Sequence, residues 1–499
     1  MASDTTGLFD LSSSQVRPAD VVALADGRVR AMVMPEGEHR QRLEAGARIV
    51  EQRLAAGDAL IDRLDRAVPP GAPPDDADGL LLRHATATDG TLRDRESAAV
   101  LAARLAMLAR GYSGVRPEVL DLMCELLNRR VLPRIPATTS GSSDGGLIPM
   151  SYLAAALMGR REVSYHGRVV LASEALRAAR LQPVELRPKE ALAIMSGTPM
   201  ATGLGCLAWE RGRRLARFAT ALTAMAHDVV GGEPRHFDPR LDELKPHRGA
   251  RTVARWIRDD IAFEDRDAEP PRPTDPAVLR CSPQVLGLLV DAAHTTSRAL
   301  EVELGSVSDG PVVDPETGDV LVGGNSHGAY VAFALDGLKS AVAAVVGLLE
   351  RVLALVCDPD VSGLPRDLVA PEGGRHGFRP MRATVAGLAA QERKHALPST
   401  GFLTAIGPEH DLPCPAQLTA IDCLRSLSVA ESVAAIVALA LCQAVDLRDG
   451  QGCHRRASAM YGAVRQLVPM LTEDRAQDRD VVTVLELFRA GLLPLGSLG

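Results

Sequence analysis

Apolar residues recur at three- and four-residue spacing through most of the chain. Residues 97–110 (SAAVLAARLAMLAR) hold this pattern until Gly111 and Gly114 break it. Residues 117–130 repeat it and stop at Pro133 and Pro136. Longer stretches at 277–303, 333–357 and 417–446 are rich in Ala, Leu and Val around much of a helical circumference. Such helices need neighbours on several sides, which predicts a buried bundle. Strand-like alternation is sparse. It predicts one strand over 163–170 and a hairpin over 312–324 turning at Pro315-Glu316-Thr317-Gly318. Loops rich in Pro, Gly and Asp fall at 68–79 and 264–276, and no internal repeat is visible. The chain reads as all-α, with a mixed N-terminal lobe over 1–185 and a long-helix bundle over 186–499. Helices this apolar also suggest packing between subunits.

Composition sharpens this picture. Of 499 residues, 46% are hydrophobic but only 3% aromatic, so the core must be built from Ala, Leu and Val. The net charge of −7 comes without a block of like charge, which argues against nucleic acid as a partner. The apolar run around Glu431 contains that charge and ends at Asp446, so it reads as a bundle helix and not as a membrane span. The first residues show neither a basic nor an apolar export segment, and the expected location is cytoplasmic. The eight cysteines form no C-x-x-C pair and read as buried, reduced thiols. Cys453-His454 beside Arg455 could suggest a metal, but no second cluster accompanies it, and no metal is expected.

Several segments, in order, resemble the aromatic amino-acid ammonia-lyase family, which includes histidine and phenylalanine ammonia-lyases. They include 109-ARGYSGVRPEVLDLM-123, 131-VLPRIP-136, 145-GGLIPMSYLAAALMG-159 and 189-KEALAIMSGTPMAT-202. Further on come 279-LRCSPQVLG-287, 305-GSVSDGPVV-313, 321-LVGGNSHG-328 and 442-CQAVDLRDG-450. The resemblance implies a long central helical bundle and a homotetramer whose active sites are shared between subunits. It also implies an electrophilic methylidene-imidazolone ring, built from a consecutive Ala-Ser-Gly.

The ring loop departs from that pattern. Pro136 and Pro149 are thirteen residues apart, the family's spacing, which lays Ala-Ser-Gly onto Ser143-Asp144-Gly145. The competing triad, Thr139-Ser140-Gly141, would need a four-residue shift. In the favoured register Asp144 has no hydroxyl to lose, so no ring and no other cofactor is expected. Asp144 could act as a general acid or base, cap the helix that follows, or form a succinimide with Gly145. The family's catalytic-base tyrosine is missing from 62–79, and its second tyrosine position holds Ala277.

Other pocket positions keep polar groups. The resemblance assigns Arg280 to a substrate carboxylate, which a guanidinium grips bidentately. It places Asn325, His327, Ser196 and Lys394 around the substrate, and Glu409 and His84 beside a polar ring. Ser196 stands where the family has an asparagine, as does Gly310. Gln443 and Arg448 fall at positions that hold subunits together. Each group also has a structural reading. His84 or His327 could be a packed histidine, Arg280 a salt-bridge residue, Glu409 part of a solvated loop and Lys394 a surface lysine.

The reading that follows is a ring-independent lyase with Asp144, Glu409 and His84 as catalytic groups. It would act on a small carboxylate-bearing substrate by β-elimination of a good leaving group, or by the reverse conjugate addition or cyclisation. Ergothionase, a ring-free relative, expels trimethylamine from a betaine. The alternative is a decayed homologue that binds a ligand or partner. Mutase chemistry is a third reading, but it uses the missing ring.

Overall fold

The computed structural model describes residues 7–12, 15–34, 36–58, 76–88, 90–137, 146–261, 263, 275–369, 375–401, 412–450 and 454–496. These are overwhelmingly helical, and the molecule has the all-α architecture the apolar pattern predicts. The chain groups into two compact units, each assembled from three stretches of sequence. The first takes Met1–Glu210, Thr296–Asp336 and Pro398–Ile421; the second takes Arg211–Thr295, Gly337–Leu397 and Asp422–Gly499.

In the first unit the helix Asp94–Leu108 is the core element. Every residue from Ser97 to Leu108 is buried, as its apolar circumference predicts. Its start is fixed by Glu96, whose carboxylate accepts the Arg93 backbone N–H at 2.8 Å. Pro18, Pro117 and Pro188 each open a helix at its first position, where a missing N–H costs nothing. Around the core lie a parallel pair, Gly7–Asp10 with Val29–Met32, and a three-stranded antiparallel sheet.

That sheet corrects the sequence reading of one strand over 163–170. Two strands, Glu162–Tyr165 and Arg168–Leu171, pair antiparallel across His166-Gly167. His166 (φ 50°) and Gly167 (φ 73°) both adopt the left-handed region, which is what a tight two-residue hairpin requires. The second hairpin forms as expected, with Val312 opposite Leu321 and Val313 opposite Val320.

In the second unit the long helices carry their charges inward, in pairs. Arg217 and Asp260 meet bidentately at 2.8 Å, both almost fully buried. Glu431, 1% exposed within Ala416–Asp446, pairs with Arg211 at 2.7 Å and Arg489 at 2.9 Å. That helix and Ala329–Val356 are long and apolar enough to cross a membrane, but 89% and 61% of their most apolar windows are buried inside the protein. They are core helices.

The helix expected over 277–303 is broken. Ala277–Arg280 ends at Cys281 and Ser282–Leu304 begins anew. Pro283 has no N–H to bond back to residue 279, so the helix must restart, and Ser282 Oγ donates to the Leu279 carbonyl instead at 2.7 Å. Cys124, Cys206, Cys357 and Cys414 are buried free thiols, Cys281 is half-buried and free, and Cys423 and Cys442 are buried. Among the described residues no group of His, Cys, Asp or Glu could hold a metal ion; Cys453 lies outside them.

Candidate active site

Four helices in the first unit begin beside one another. They start at Leu147, Pro199, Ala329 and Ala416. Gly146, just before the first, donates its N–H to the Gly197 carbonyl at 3.2 Å. Gly328, just before the third, donates its N–H to Cys414 Sγ at 3.2 Å. The approach depends on glycine. A Cβ on Gly328 would stand 2.9 Å from Ala416 Cβ and 3.0 Å from Thr198 Cγ2, and one on Gly146 would stand 2.9 Å from Met150 Cγ and 3.2 Å from Gln417 Nε2. Gly197 (φ +92°) lies flush against the Ser308 backbone, where a side chain has no room. Helix N-termini expose unpaired N–H groups and partial positive charge, so their convergence favours an anion.

Buried side chains add to this field. Lys189 Nζ pairs with Asp309 at 2.9 Å, both fully buried, and Ser113 Oγ donates to the same carboxylate at 2.6 Å. Arg104 is fully buried and donates to the Ser196 carbonyl. Burial pushes its guanidinium down to about 10, opposed by the Asp309 charge, so it stays protonated at neutral pH. Its Nε and Nη1 find no partner among the described residues. Two buried cations therefore face one buried carboxylate.

The predicted site residues divide as follows. Ser196 ends the helix Pro188–Met195, 3% exposed, directly before Gly197. Asn325 is exposed and donates Nδ2 to the Val307 carbonyl at 3.2 Å. His327 lies one residue before Gly328, and its Nε2 is buried without a partner among the described residues. His84 ends Ala77–Arg83, a helix that packs against Pro188–Met195 and Leu147–Leu157. Its Nδ1 lies 2.9 Å from the Leu80 carbonyl; a carbonyl only accepts, so Nδ1 carries the proton and a neutral His84 presents a bare Nε2. Arg280 and Lys394 belong to the second unit. Arg280 is exposed, with no carboxylate paired to it among the described residues. Lys394 is exposed in the last turn of Arg379–His395, where a cation suits the helix end. Asp144 and Glu409 lie outside the described residues, as do the register of the ring loop and most of the shortened loop at 62–79.

Sequence reading overlooked Glu303. It sits in the last turn of Ser282–Leu304 and accepts a hydrogen bond from the Thr198 hydroxyl. Burial raises its carboxyl above the usual glutamate range, and the Thr198 bond opposes this only in part. The available signal was a glutamate at a helix C-terminus, the unfavourable end for an anion, just before Gly305.

The methylidene-imidazolone group of this fold needs a β-hydroxyl at its central residue. On the Pro136–Pro149 spacing the central side chain would be that of Asp144, a carboxyl that does not fit the group, and this loop lies outside the described residues. Both ends of this loop are held: the Ala137 N–H donates to the Gly90 carbonyl at 2.7 Å, and Gly146 is tied to Gly197.

Comparison with known proteins agrees with this architecture. The family described as Aromatic amino acid lyase matches residues 16–466. A histidine ammonia-lyase of Koribacter versatilis is 34% identical over 431 residues, spanning 83% of this chain and 84% of that protein. The crystal structure of histidine ammonia-lyase from Trypanosoma cruzi superposes with a TM-score of 0.88 at 25% identity, covering 98% of this chain and 94% of that one. Ergothionase from Treponema denticola gives a TM-score of 0.89 at 21% identity, covering 98% and 99%; that likeness speaks for the fold alone. The chain belongs to the aromatic amino-acid lyase family and is an enzyme of the ammonia-lyase superfamily.

Proposed function

We propose that this enzyme is a lyase that works without the methylidene-imidazolone ring, on a small carboxylate-bearing substrate. It eliminates a good leaving group β to an acidified carbon, or runs the reverse conjugate addition or cyclisation. One observation carries this reading: an aspartate, Asp144, stands at the position where the ring would need a dehydrating serine. Without the ring's electrophile a poor leaving group such as ammonia is not activated. A better one, a quaternary amine or a thiol, needs only a base and a stabilised anion. The convergent helix N-termini and the excess of buried cations support anion stabilisation. Arg280, exposed and unpaired among the described residues, supports an enzyme more than a decayed homologue with a blocked guanidinium.

In this reading Asp144, Glu409 and His84 share proton transfer. Arg280, Asn325, His327, Ser196 and Lys394 surround the substrate. The assembly is a cytoplasmic homotetramer whose sites are shared between subunits. The exposed Tyr330 and Phe333, at the start of Ala329–Val356, support association.

Intact mass and near-ultraviolet absorbance test the ring directly. The mass should equal that of the unmodified chain; loss of two waters would restore Ser140 as a ring precursor and end this reading. Asp144→Asn should abolish turnover of a β-eliminating acid while leaving the assembly unchanged in light scattering. An unaltered rate would remove Asp144 from the chemistry.

A further inference from the structure

A cleft of about 570 Å³ opens in the second unit, lined by none of the candidate active-site residues. Three helices form it: Arg379–His395, Ala416–Asp446 and Asp478–Arg489. Arg379–His395 is buried along one row only, Met381, Val385, Ala389 and Glu392. The neighbouring row, Pro380, Thr384 and Leu388, borders the cleft, and among the described residues no side chain fills the space beside it. Ile436 and Val481 continue the apolar wall from the other two helices. This volume, with apolar walls and a few polar groups, is that of a small-molecule site.

The polar rim is fixed by backbone. Asp474 accepts the His376 and Gly377 N–H groups at 2.9 and 3.1 Å, and His376 Nδ1 lies 3.0 Å from the same carboxylate. Gly377 (φ 52°) sits against the Asp367 carbonyl, so this turn has no room for a side chain. The backbone and ring contacts of His376 hold the Asp474 carboxyl below the usual aspartate range. Arg475, the guanidinium on the lining, is bound to Asp480 at 2.6 Å and to the Pro469 and Ala476 carbonyls at 3.2 and 3.3 Å. It has little left for a ligand anion. The Thr384 and Ser432 hydroxyls donate to the Pro380 and Ser428 carbonyls, so towards a ligand they accept. Asp478 differs from Asp474. It is exposed at the first position of its helix, and its carboxylate accepts no hydrogen bond among the described residues. The charged group left without a partner is therefore an anion.

We propose that this cleft binds a hydrophobic monoamine in its ammonium form, with an aryl or branched alkyl body on Met381, Leu388, Ile436 and Val481 and the ammonium on Asp478. Charge decides the class. Two carboxylates and one committed guanidinium line the cleft, so a ligand carboxylate would meet Asp478 with no free cation to offset it. The preference is opposite in sign to that of the helix N-termini gathered in the first unit, so the cleft is a separate site and not a second place for the substrate carboxylate.

Calorimetric titration of the full-length protein at neutral pH tests this with 2-phenylethylammonium. The controls are 2-phenylethanol and 3-phenylpropanoate, which carry the same ring on a neutral and an anionic chain. The ammonium should bind more tightly than the alcohol. Thr384 and Asp478 are both exposed, so Thr384→Trp, which fills the cleft, and Asp478→Asn, which removes its charge, should keep the helical content in circular dichroism. Thr384→Trp should abolish amine binding. Asp478→Asn should weaken it about tenfold, as loss of one charge-assisted bond does. Any binding of 3-phenylpropanoate should be the same in both variants as in the unmodified protein. The proposal is overturned if the amine does not bind, if it binds no more tightly than the alcohol, or if its affinity is unchanged in either variant. A changed assembly mass for Thr384→Trp in light scattering also overturns it, because the cleft would then be an interface between copies of this chain.

Discussion

Glu392 shows what burial does to a single side chain. It is fully buried, takes a hydrogen bond from Ser426 on one oxygen, and has no partner for the other among the described residues. Burial pushes its carboxyl up to about 7, against the Ser426 bond and the nearby Lys339 charge. The folded state therefore holds a proton that the unfolded chain releases at ordinary glutamate pH. Between the usual glutamate value and about 7 the folded state binds more protons, so this group's contribution to stability falls as pH rises and levels off above 7. Glu392→Gln should flatten that slope and raise stability at pH 8 by on the order of 1–3 kcal/mol. Urea denaturation at pH 5 and pH 8 reads the difference, and an unchanged slope would clear Glu392 of the effect. At the same scale, Arg280→Ala should raise the KM of an acid substrate about ten- to hundredfold, the cost of one charge-assisted pair. Steady-state kinetics with an unchanged KM would place the carboxylate elsewhere.

Between elements, glycine decides how closely helices approach. In the second unit Arg248–Asp260 meets Ser282–Leu304 at a pair of glycines. A Cβ on Gly249 would overlap the Gly287 carbonyl, and one on Gly287 would overlap the Ala250 nitrogen. These neighbours are backbone and cannot rotate aside. Gly287→Ala should therefore cost about 1–3 kcal/mol, as an overpacked core does. Thermal unfolding checks it, and a neutral outcome would mean the two helices can separate freely. In the first unit Gly203 lies against the Ala99 backbone, with 2.7 Å left for a Cβ, which seats Pro199–Val230 on the core helix Asp94–Leu108. Both contacts were invisible in the hydrophobic pattern, because a glycine inside a helical run looks like a weak helix position until its neighbour is known.

For the whole molecule, the distribution of apolar surface matters most. Tyr330 is 83% exposed and Phe333 76% exposed, three residues apart on one helix face. A monomer gains nothing by holding two aromatic rings in water, and the proposed homotetramer would cover them. Phe333→Glu should lower the mass measured by light scattering, with helical content kept in circular dichroism. A retained tetramer would remove this face from the interface. The charges within the long helices bear on the same question from inside. Glu431 keeps Ala416–Asp446 in the protein because Arg211 and Arg489 neutralise it there.

Much of this protein is local in sequence. The start of Asp94–Leu108, the prolines that open helices, the hairpin over 312–321 and the ordered family segments all follow from residues a few positions apart, whose periodicity and turn chemistry act locally. The all-α class and family membership were legible for that reason. The single strand over 163–170 and the unbroken helix over 277–303 failed where two left-handed residues and one proline outweighed the apolar pattern. The tertiary structure alone decided which helix N-termini meet, that Arg104 is buried under Ser196, and that Glu303 faces Thr198. The physical reason is that desolvation and Coulomb energy depend on distance in space. Residues 198 and 303 share a proton environment only after the chain has folded.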